Sequence, residues 1–139
     1  MSKMADKIFE FGFHDTKISA IDCTESSVYL HFHEGLYLLD DTGKAMELSN
    51  PITARIDIDS RYIFNSVYNL IEITDYSNQE QDVDFLSFKE AINDSWFEIH
   101  MAYYSRFNHT VLFDGSIQDK HIMFTIENCI NVSYQYNEF

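Results

Sequence analysis

Hydrophobic and polar residues alternate along most of the chain with a period of two, as in β-strands, whose successive side chains point to opposite faces. Residues 52–59 show this most clearly, because isoleucine or alanine occupies each even position up to 58 and a polar residue each odd one. Turn residues, such as the Asp-Asp-Thr-Gly run at 40–43, separate the runs. Eleven extended runs result, and we interpret them as about nine short strands. The runs are residues 7–13, 17–23, 28–33, 36–39, 44–48, 52–59, 62–73, 96–104, 110–113, 121–127 and 131–136.

One segment departs from this alternation and predicts a helix. Phe85, Phe88 and Ile92 recur at the spacing of one helix face, which indicates a helix over residues 83–93. The run from Ser87 to Glu90 matches the capping box that begins many helices. The two signals disagree over where the first turn lies, so the sequence predicts one short helix but not the residue at which it begins.

Composition adds a class and a domain count to this pattern. The chain has 139 residues, 1 proline and 4 glycines, with no linker or repeat, so we predict a single domain over residues 1–139. Aromatic residues make up 16% of the chain, and they favour pleated surfaces. We therefore predict a mainly β fold, an antiparallel sandwich or partly open barrel of about nine strands with one short helix.

The charge balance limits the partners. Lys and Arg total 9 against 23 Asp and Glu, a formal net charge of -14. Such a surface repels phosphate backbones and anionic membranes, so we expect neither nucleic-acid nor membrane binding. Charge of this size also keeps a small protein dispersed, which would explain it without any partner. The functional interpretation is attraction of a basic protein partner.

The cysteines and the N-terminus predict a compartment. Cys23 and Cys129 lie in apolar, strand-like runs and have no metal or redox spacing. The N-terminal residues lack the apolar stretch of a signal peptide, and no segment approaches the ~20 apolar residues of a membrane span. We therefore expect a cytoplasmic protein with reduced thiols.

The best metal candidate is the pair His31 and His33. Residues two apart on a strand project from one face, so two imidazoles there could bind one ion, with further ligands from His100, His109, His121 or Glu34. The alternative is a pair of half-exposed histidines on the wet face of a strand. The cupin pattern fails here, because Glu25 stands where its glycine belongs. No cofactor is predicted.

Other candidate chemistry has a simpler structural interpretation. Asp57 and Asp59 share one strand face. They could act in general acid–base catalysis or bind calcium, or they could simply face solvent. His14 and Asp15 fit a turn better than a phosphohydrolase metal site, whose His-Asp pair lies on a helix. There is no G-x-S-x-G, phosphate loop or C-x-x-C. Tyr29, Tyr37, Tyr103 and Tyr104 could line a cavity or fill a core. We expect the protein not to be an enzyme.

The runs FHDTKISAI at residues 13–21 and VYLHF at 28–32 carry a resemblance. Residues 11–39 resemble the opening of several small bacterial β-rich families, in which a His-Asp-Ser/Thr turn leads into a strand and a hairpin partner. Some of these families are similar to immunity proteins of bacterial toxin systems. The resemblance implies a bacterial, protein-binding role and no catalytic residues.

Three functions follow as hypotheses. The first is a non-enzymatic acidic interaction module that masks a basic protein partner, in the manner of an immunity protein, with exposed tyrosines as anchors. The second is a small-ligand or metal-binding barrel, with or without enzymatic activity, centred on His31 and His33. The third is a structural subunit of a phage or mobile element. A homo-oligomer formed through an unpaired strand edge is compatible with the first and third.

Overall fold

The computed structural model describes residues 9–77 and 79–137, and these form twelve β-strands, one α-helix and two 3-10 helices. The predicted mainly β fold with one helix is confirmed. The helix, α1, spans Phe85–Ser95, and the 3-10 helices span Ser60–Tyr62 and Val67–Leu70. The strands are β1 (Thr16–Ile18), β2 (Ala20–Cys23), β3 (Ser27–Phe32), β4 (Tyr37–Leu39), β5 (Ala45–Leu48), β6 (Ile52–Ile58), β7 (Ile71–Asp75), β8 (Gln81–Asp82), β9 (Phe97–Ser105), β10 (Thr110–Ile117), β11 (Lys120–Ile126) and β12 (Cys129–Tyr136).

The strands form two main antiparallel sheets and a detached hairpin. The larger sheet has the order β1-β9-β10-β11-β7-β8, the smaller has the order β12-β6-β3-β2, and β4 pairs with β5 outside both sheets. Neither sheet closes into a barrel. Phe13 joins them, because its ring centroid lies 5.6 Å from that of Phe32 in the smaller sheet and 5.7 Å from that of Phe113 in the larger one. The molecule is thus an open sandwich.

Alternation along the strands builds the core. Val28, Leu30 and Phe32 of β3 are fully buried, and the residues between them are more exposed. In the larger sheet Phe113 and Phe124 stack at 5.0 Å. Burying one such side chain stabilises the fold by about 1.5–3 kcal/mol. The apolar faces that the sequence pattern predicts therefore supply the contact between the sheets.

The chain changes sheets at Ser19. Residues 17–23 were expected to form one strand, but Thr16 pairs with Ile99 of the larger sheet and Ala20 with His31 of the smaller. The Ser19 N–H donates to the His31 carbonyl at 2.7 Å, which fixes the corner. A strand that changes sheets through a bend is a recurring way to close the end of a sandwich.

The helix fills the space beside the two sheets. Phe85, Phe88 and Ile92 are buried, as predicted, and Phe88 packs at 5.1 Å from Phe124. The first turn, which the two sequence signals left open, begins at Phe85, because Asp84 is the N-cap and its carboxylate accepts the N–H of Ser87. No helix in residues 9–77 or 79–137 has both the length and the apolar composition needed to cross a membrane.

Residues 9–13 do not form the strand expected over 7–13, whose first two positions lie outside the described residues. Gly12 makes an isolated bridge to Tyr37, and the rest of the segment is irregular. Its phenylalanines instead pack against the sandwich, with the rings of Phe11 and Tyr134 4.9 Å apart. Hydrophobic and polar residues do alternate in this segment. The apolar side chains pack against the sandwich, but the backbone does not pair as a strand.

Two further expectations are wrong. Of the strand expected over 62–73 only residues 71–73 are extended, as the start of β7 (Ile71–Asp75), since 3-10 turns precede them. The strand expected to end before Asp114 continues to Ile117, because Gly115 is no turn residue. A Cβ at Gly115 would lie 2.0 Å from the Glu98 carbonyl oxygen, so glycine serves the close approach of β10 to β9 at a β-bulge.

Candidate interaction surface

His31 lies among polar partners on the smaller sheet. Its Nε2 is 3.0 Å from Asp22 Oδ2, and its Nδ1 is 2.9 Å from Thr53 Oγ1. Asp22 also accepts a 2.9 Å hydrogen bond from Lys89 Nζ, and this bond is the main reason why the pKa of Asp22 lies below its usual value. Both imidazole nitrogens of His31 thus already have partners within the protein.

His33 lies beyond the end of β3, in a turn that the Gly35 N–H closes by donating to the Phe32 carbonyl at 3.0 Å. Its ring packs edge-on against Trp96, with centroids 5.8 Å apart. His31 and His33 therefore contact different groups, and none of these contacts joins them. Their role as a metal-binding pair stays a prediction.

The other proposed ligands are also dispersed. Among the described residues, no group of three or more His, Cys, Asp or Glu side chains is arranged to hold a metal ion. Each further candidate contacts a different neighbour: His100 Nε2 lies 3.2 Å from Ser116 Oγ, His109 Nδ1 lies 2.8 Å from Tyr104 Oη, His121 Nε2 lies 2.5 Å from Asp114 Oδ1, and Glu34 Oε1 lies 4.0 Å from Lys17 Nζ.

The two carboxylates considered for acid–base work have structural partners. Burial raises the pKa of Asp57, but hydrogen bonds from Ser27, Arg55 and Asn131 outweigh it and hold the pKa below the usual value. Asp59 lies past the end of β6, where it caps the first 3-10 helix by accepting the Arg61 N–H. Both carboxylates thus stabilise local structure.

The thiols and the His-Asp pair also have local explanations. Burial raises the pKa of Cys23 to about 12 and that of Cys129 to about 11, so both stay protonated at neutral pH and are poor nucleophiles. Asp15 has a φ of 61° and lies with His14 in a turn, as the sequence suggested. Their side chains are exposed and 3.3 Å apart.

Four exposed apolar residues lie in the connection between β6 and β7 and in the first turn of α1. Phe64 is 70% exposed, Tyr62 47%, Tyr68 45% and Leu86 63%. We call Tyr62, Phe64, Tyr68 and Leu86 the aromatic surface. Single exposed apolar residues are ordinary, but several in neighbouring segments are typical of a binding surface.

Short-range hydrogen bonds hold this segment in place. Ser66 Oγ accepts the Tyr68 N–H and so caps the second 3-10 helix. The Asn69 side-chain amide donates to the Phe64 carbonyl at 2.8 Å, which closes the loop between the two turns. The aromatic side chains are therefore presented by an ordered backbone, and binding through them would cost less ordering entropy than binding through a loose loop.

Ring stacking joins the loop to α1. Tyr68 stacks on Phe85, the first residue of the helix, with centroids 4.7 Å apart, and Leu86 follows directly. Exposed acidic residues lie in the chain leading into the helix and on it, namely Glu80, Asp82, Asp84 and Glu90.

Two cations close to the aromatic surface in sequence are already paired. Arg61 Nη2 lies 2.6 Å from Asp59 Oδ2, and Lys89 Nζ lies 2.9 Å from Asp22 Oδ1. Their charges are therefore offset by carboxylates within the protein. The exposed acids at the helix entrance give this side of the molecule a negative character.

Sequence reasoning missed this surface because residues 62–73 were interpreted as a strand, which would have buried alternate rings. Asp59 and Ser66 are the residue types that cap helical turns, and each lies just before a 3-10 helix. These two capping residues were the sequence signal that could have indicated the 3-10 helices.

Comparisons with known proteins add no relative: no family model, curated protein or solved structure matches this chain significantly. The resemblance of residues 11–39 to bacterial β-rich families therefore stays a prediction.

Proposed function

We propose that this protein is a non-enzymatic interaction module that binds and masks a basic protein partner through the aromatic surface. The observation that carries the proposal is the coincidence of four exposed apolar side chains on an ordered backbone with exposed carboxylates beside them. The bacterial immunity-like role expected from residues 11–39 is one form that such masking would take.

The energetics of known interfaces support separate roles for the aromatic side chains and the carboxylates. Aromatic side chains dominate the binding energy of many interfaces, usually near their centre, while the surrounding charges set the partner and the rate of encounter. Phe64 and Tyr68 supply the apolar centre, and Asp82, Asp84 and Glu90 supply a negative margin. A net charge of -14 extends that field over the molecule and favours a cationic partner.

The partner is identified by affinity purification on the immobilised protein from lysate of the source cells, and is then purified for binding measurements. We expect it to be basic. The Phe64→Ala change should weaken binding at least about tenfold, equal to about 1.4 kcal/mol, because it removes the most exposed ring of the aromatic surface. Phe107→Ala is the matched control, because Phe107 is 95% exposed but lies at the β9–β10 turn.

Salt provides a second test of the same complex. Binding should weaken steeply between about 50 mM and about 500 mM salt, since screening reduces the attraction between the acidic protein and its partner. An acidic partner, or equal losses in the Phe64→Ala and Phe107→Ala variants, would contradict the proposal. So would a stoichiometric metal ion that is lost when His31 and His33 are changed to Ala, because that result favours the ligand-binding alternative.

A further inference from the structure

The two longest uncharged stretches of the chain lie next to each other in the structure. Charged residues make up 23% of the sequence, yet residues 62–71 and 128–137 contain none, and no other uncharged run is as long. The Glu127 N–H, just before the second stretch, donates to the Leu70 carbonyl of the first at 2.9 Å. The first stretch carries three of the four side chains of the aromatic surface, so that surface lies beside the start of the second stretch.

The second stretch forms β12, which is the outermost strand of the smaller sheet. β12 pairs with β6, and no strand in the described part of the chain pairs with its other side. The Asn137 N–H donates to the Pro51 carbonyl, next to β6. Because backbone groups alternate in direction along an antiparallel pair, those of Val132 and Tyr136 point away from β6. An added strand would meet these outward groups.

The other edges of the two sheets are protected against such pairing. β8 has two residues and β1 has three, and they carry Asp82 and Lys17 respectively. β2 has four residues, and its Asp22 accepts a 2.9 Å hydrogen bond from Lys89 of α1. Folded proteins usually shorten, charge or cover an edge strand, because an unprotected one pairs with other chains. β12 has eight residues without a charge or a proline, and a bulge interrupts only its start.

We propose that the basic partner adds an extended segment to the edge of β12, as a fifth strand of the smaller sheet. Main-chain hydrogen bonds then hold the segment, and its alternate side chains supply the specificity. The proposal rests on the proposed function for the basic character of the partner, and it names the part of the partner that is recognised.

Charge favours a cationic segment over a second copy of this chain. Carboxylates lie beside the strand: Asp57 of β6 accepts a 3.4 Å hydrogen bond from the Asn131 amide, and Glu127 precedes β12 in the chain. A second copy would bring another net charge of -14 to the same edge. A segment that alternates cationic and apolar residues meets no such repulsion and also fits the period of a strand.

A synthetic peptide tests the edge directly. The probe is a peptide of about eight alternating lysine and valine residues, acetylated and amidated, which matches a typical strand length. Amide nuclear magnetic resonance should show shifts along β12 on titration, with slowed hydrogen exchange at the Val132 and Tyr136 N–H groups. A glutamate-valine peptide of the same length is the control and should bind at least about tenfold more weakly.

Two variants at one position isolate the backbone contribution. Tyr136→Pro and Tyr136→Ala both remove the phenol ring, but only proline also removes the outward N–H. Proline is tolerated in an edge strand where the N–H faces solvent. Tyr136→Pro should therefore bind the lysine-valine peptide at least about tenfold more weakly than Tyr136→Ala. The exchange measurement at Val132 tests the same pairing in the unchanged protein.

Three results would overturn the proposal: equal peptide binding by the two Tyr136 variants, peptide-induced shifts outside β12, or equal affinity for the glutamate-valine peptide. Exchange at Val132 that slows with protein concentration alone would also overturn it, because a second copy would then occupy the edge. Failure here leaves the proposed function testable by Phe64→Ala, which should still weaken binding of the purified partner. Conversely, pairing of the peptide with β12 while Phe64→Ala binds the partner normally would reject the aromatic surface and keep the edge.

Discussion

Single residues in this fold hold backbone positions that few other residues would accept. Gly115 tolerates the Glu98 carbonyl and the Phe97 ring at distances that no side chain would allow. Trp96 follows α1 with a φ of 57° and a ψ of 149°, a combination that L-residues rarely adopt. One of these positions lies within a strand and the other follows the helix, so close packing limits the residue choice in both kinds of segment.

Changing Gly115 to Ala should destabilise the protein by more than about 2 kcal/mol or prevent folding, because the new methyl group has no free space. Gly43→Ala is the control: Gly43 has a φ of 84° but nothing within 4 Å of the added Cβ. It should cost only about 1 kcal/mol of backbone strain. Urea unfolding monitored by circular dichroism measures both, and equal losses would contradict the steric explanation.

Trp96 allows a paired test of backbone strain. Trp96→Ala and Trp96→Gly both remove the indole and its contact with His33, but only glycine adopts a φ of 57° without cost. The glycine variant should therefore be more stable than the alanine variant by about 1 kcal/mol. Thermal or urea unfolding measures the difference. An alanine variant that is the more stable of the two would show that residue 96 is not strained.

At the scale of elements, the start of α1 depends on one side chain. Asp84 accepts hydrogen bonds from the Ser87 N–H and hydroxyl, at 2.9 and 2.8 Å. Asp84→Ala should cost about 1 kcal/mol of unfolding free energy, because it leaves helix N–H groups without an acceptor. Asp84→Asn keeps an oxygen acceptor and should cost less. If the two variants lose the same stability, the cap is not the cause.

Strands with one buried and one solvent-exposed face could be predicted from the sequence. Residues 52–59 and 28–33 were expected to be strands, and the structure has Ile52–Ile58 and Ser27–Phe32, because alternation there coincides with the burial of one face. Residues 9–13 alternate as well but pair with no strand except at Gly12. Pairing of β1 with β9 joins distant parts of the chain, which no local pattern specifies.

The candidate surface was less predictable than the fold. Tyrosine anchors on an acidic protein were expected, but their positions depend on the two 3-10 helices that turn the chain outward between β6 and β7. Short helical turns have no long periodicity to reveal them. His31 and His33, in contrast, drew attention by their spacing, although the structure gives them separate contacts.

For the whole molecule, the excess of acidic residues has two opposing effects on stability. Repulsion among like charges destabilises the fold at neutral pH and weakens as carboxylates gain protons. Carboxylates that accept hydrogen bonds act in the other direction, because they stabilise the fold only while ionised. Asp57 is the clearest example, since three side chains donate to it.

The sign of the pH dependence follows from the lowered pKa of Asp57. Below the usual aspartate value of about 3.9, the unfolded chain binds a proton at this residue more readily than the folded protein does. The contribution of Asp57 is therefore complete above that pH and disappears as pH falls through the folded pKa. Urea unfolding at a series of pH values should show stability declining below about pH 4. Asp57→Asn should be less stable at pH 7 and decline less steeply in acid, because its amide does not titrate. A variant whose stability fell as steeply as that of the unchanged protein would assign the acid sensitivity to other carboxylates.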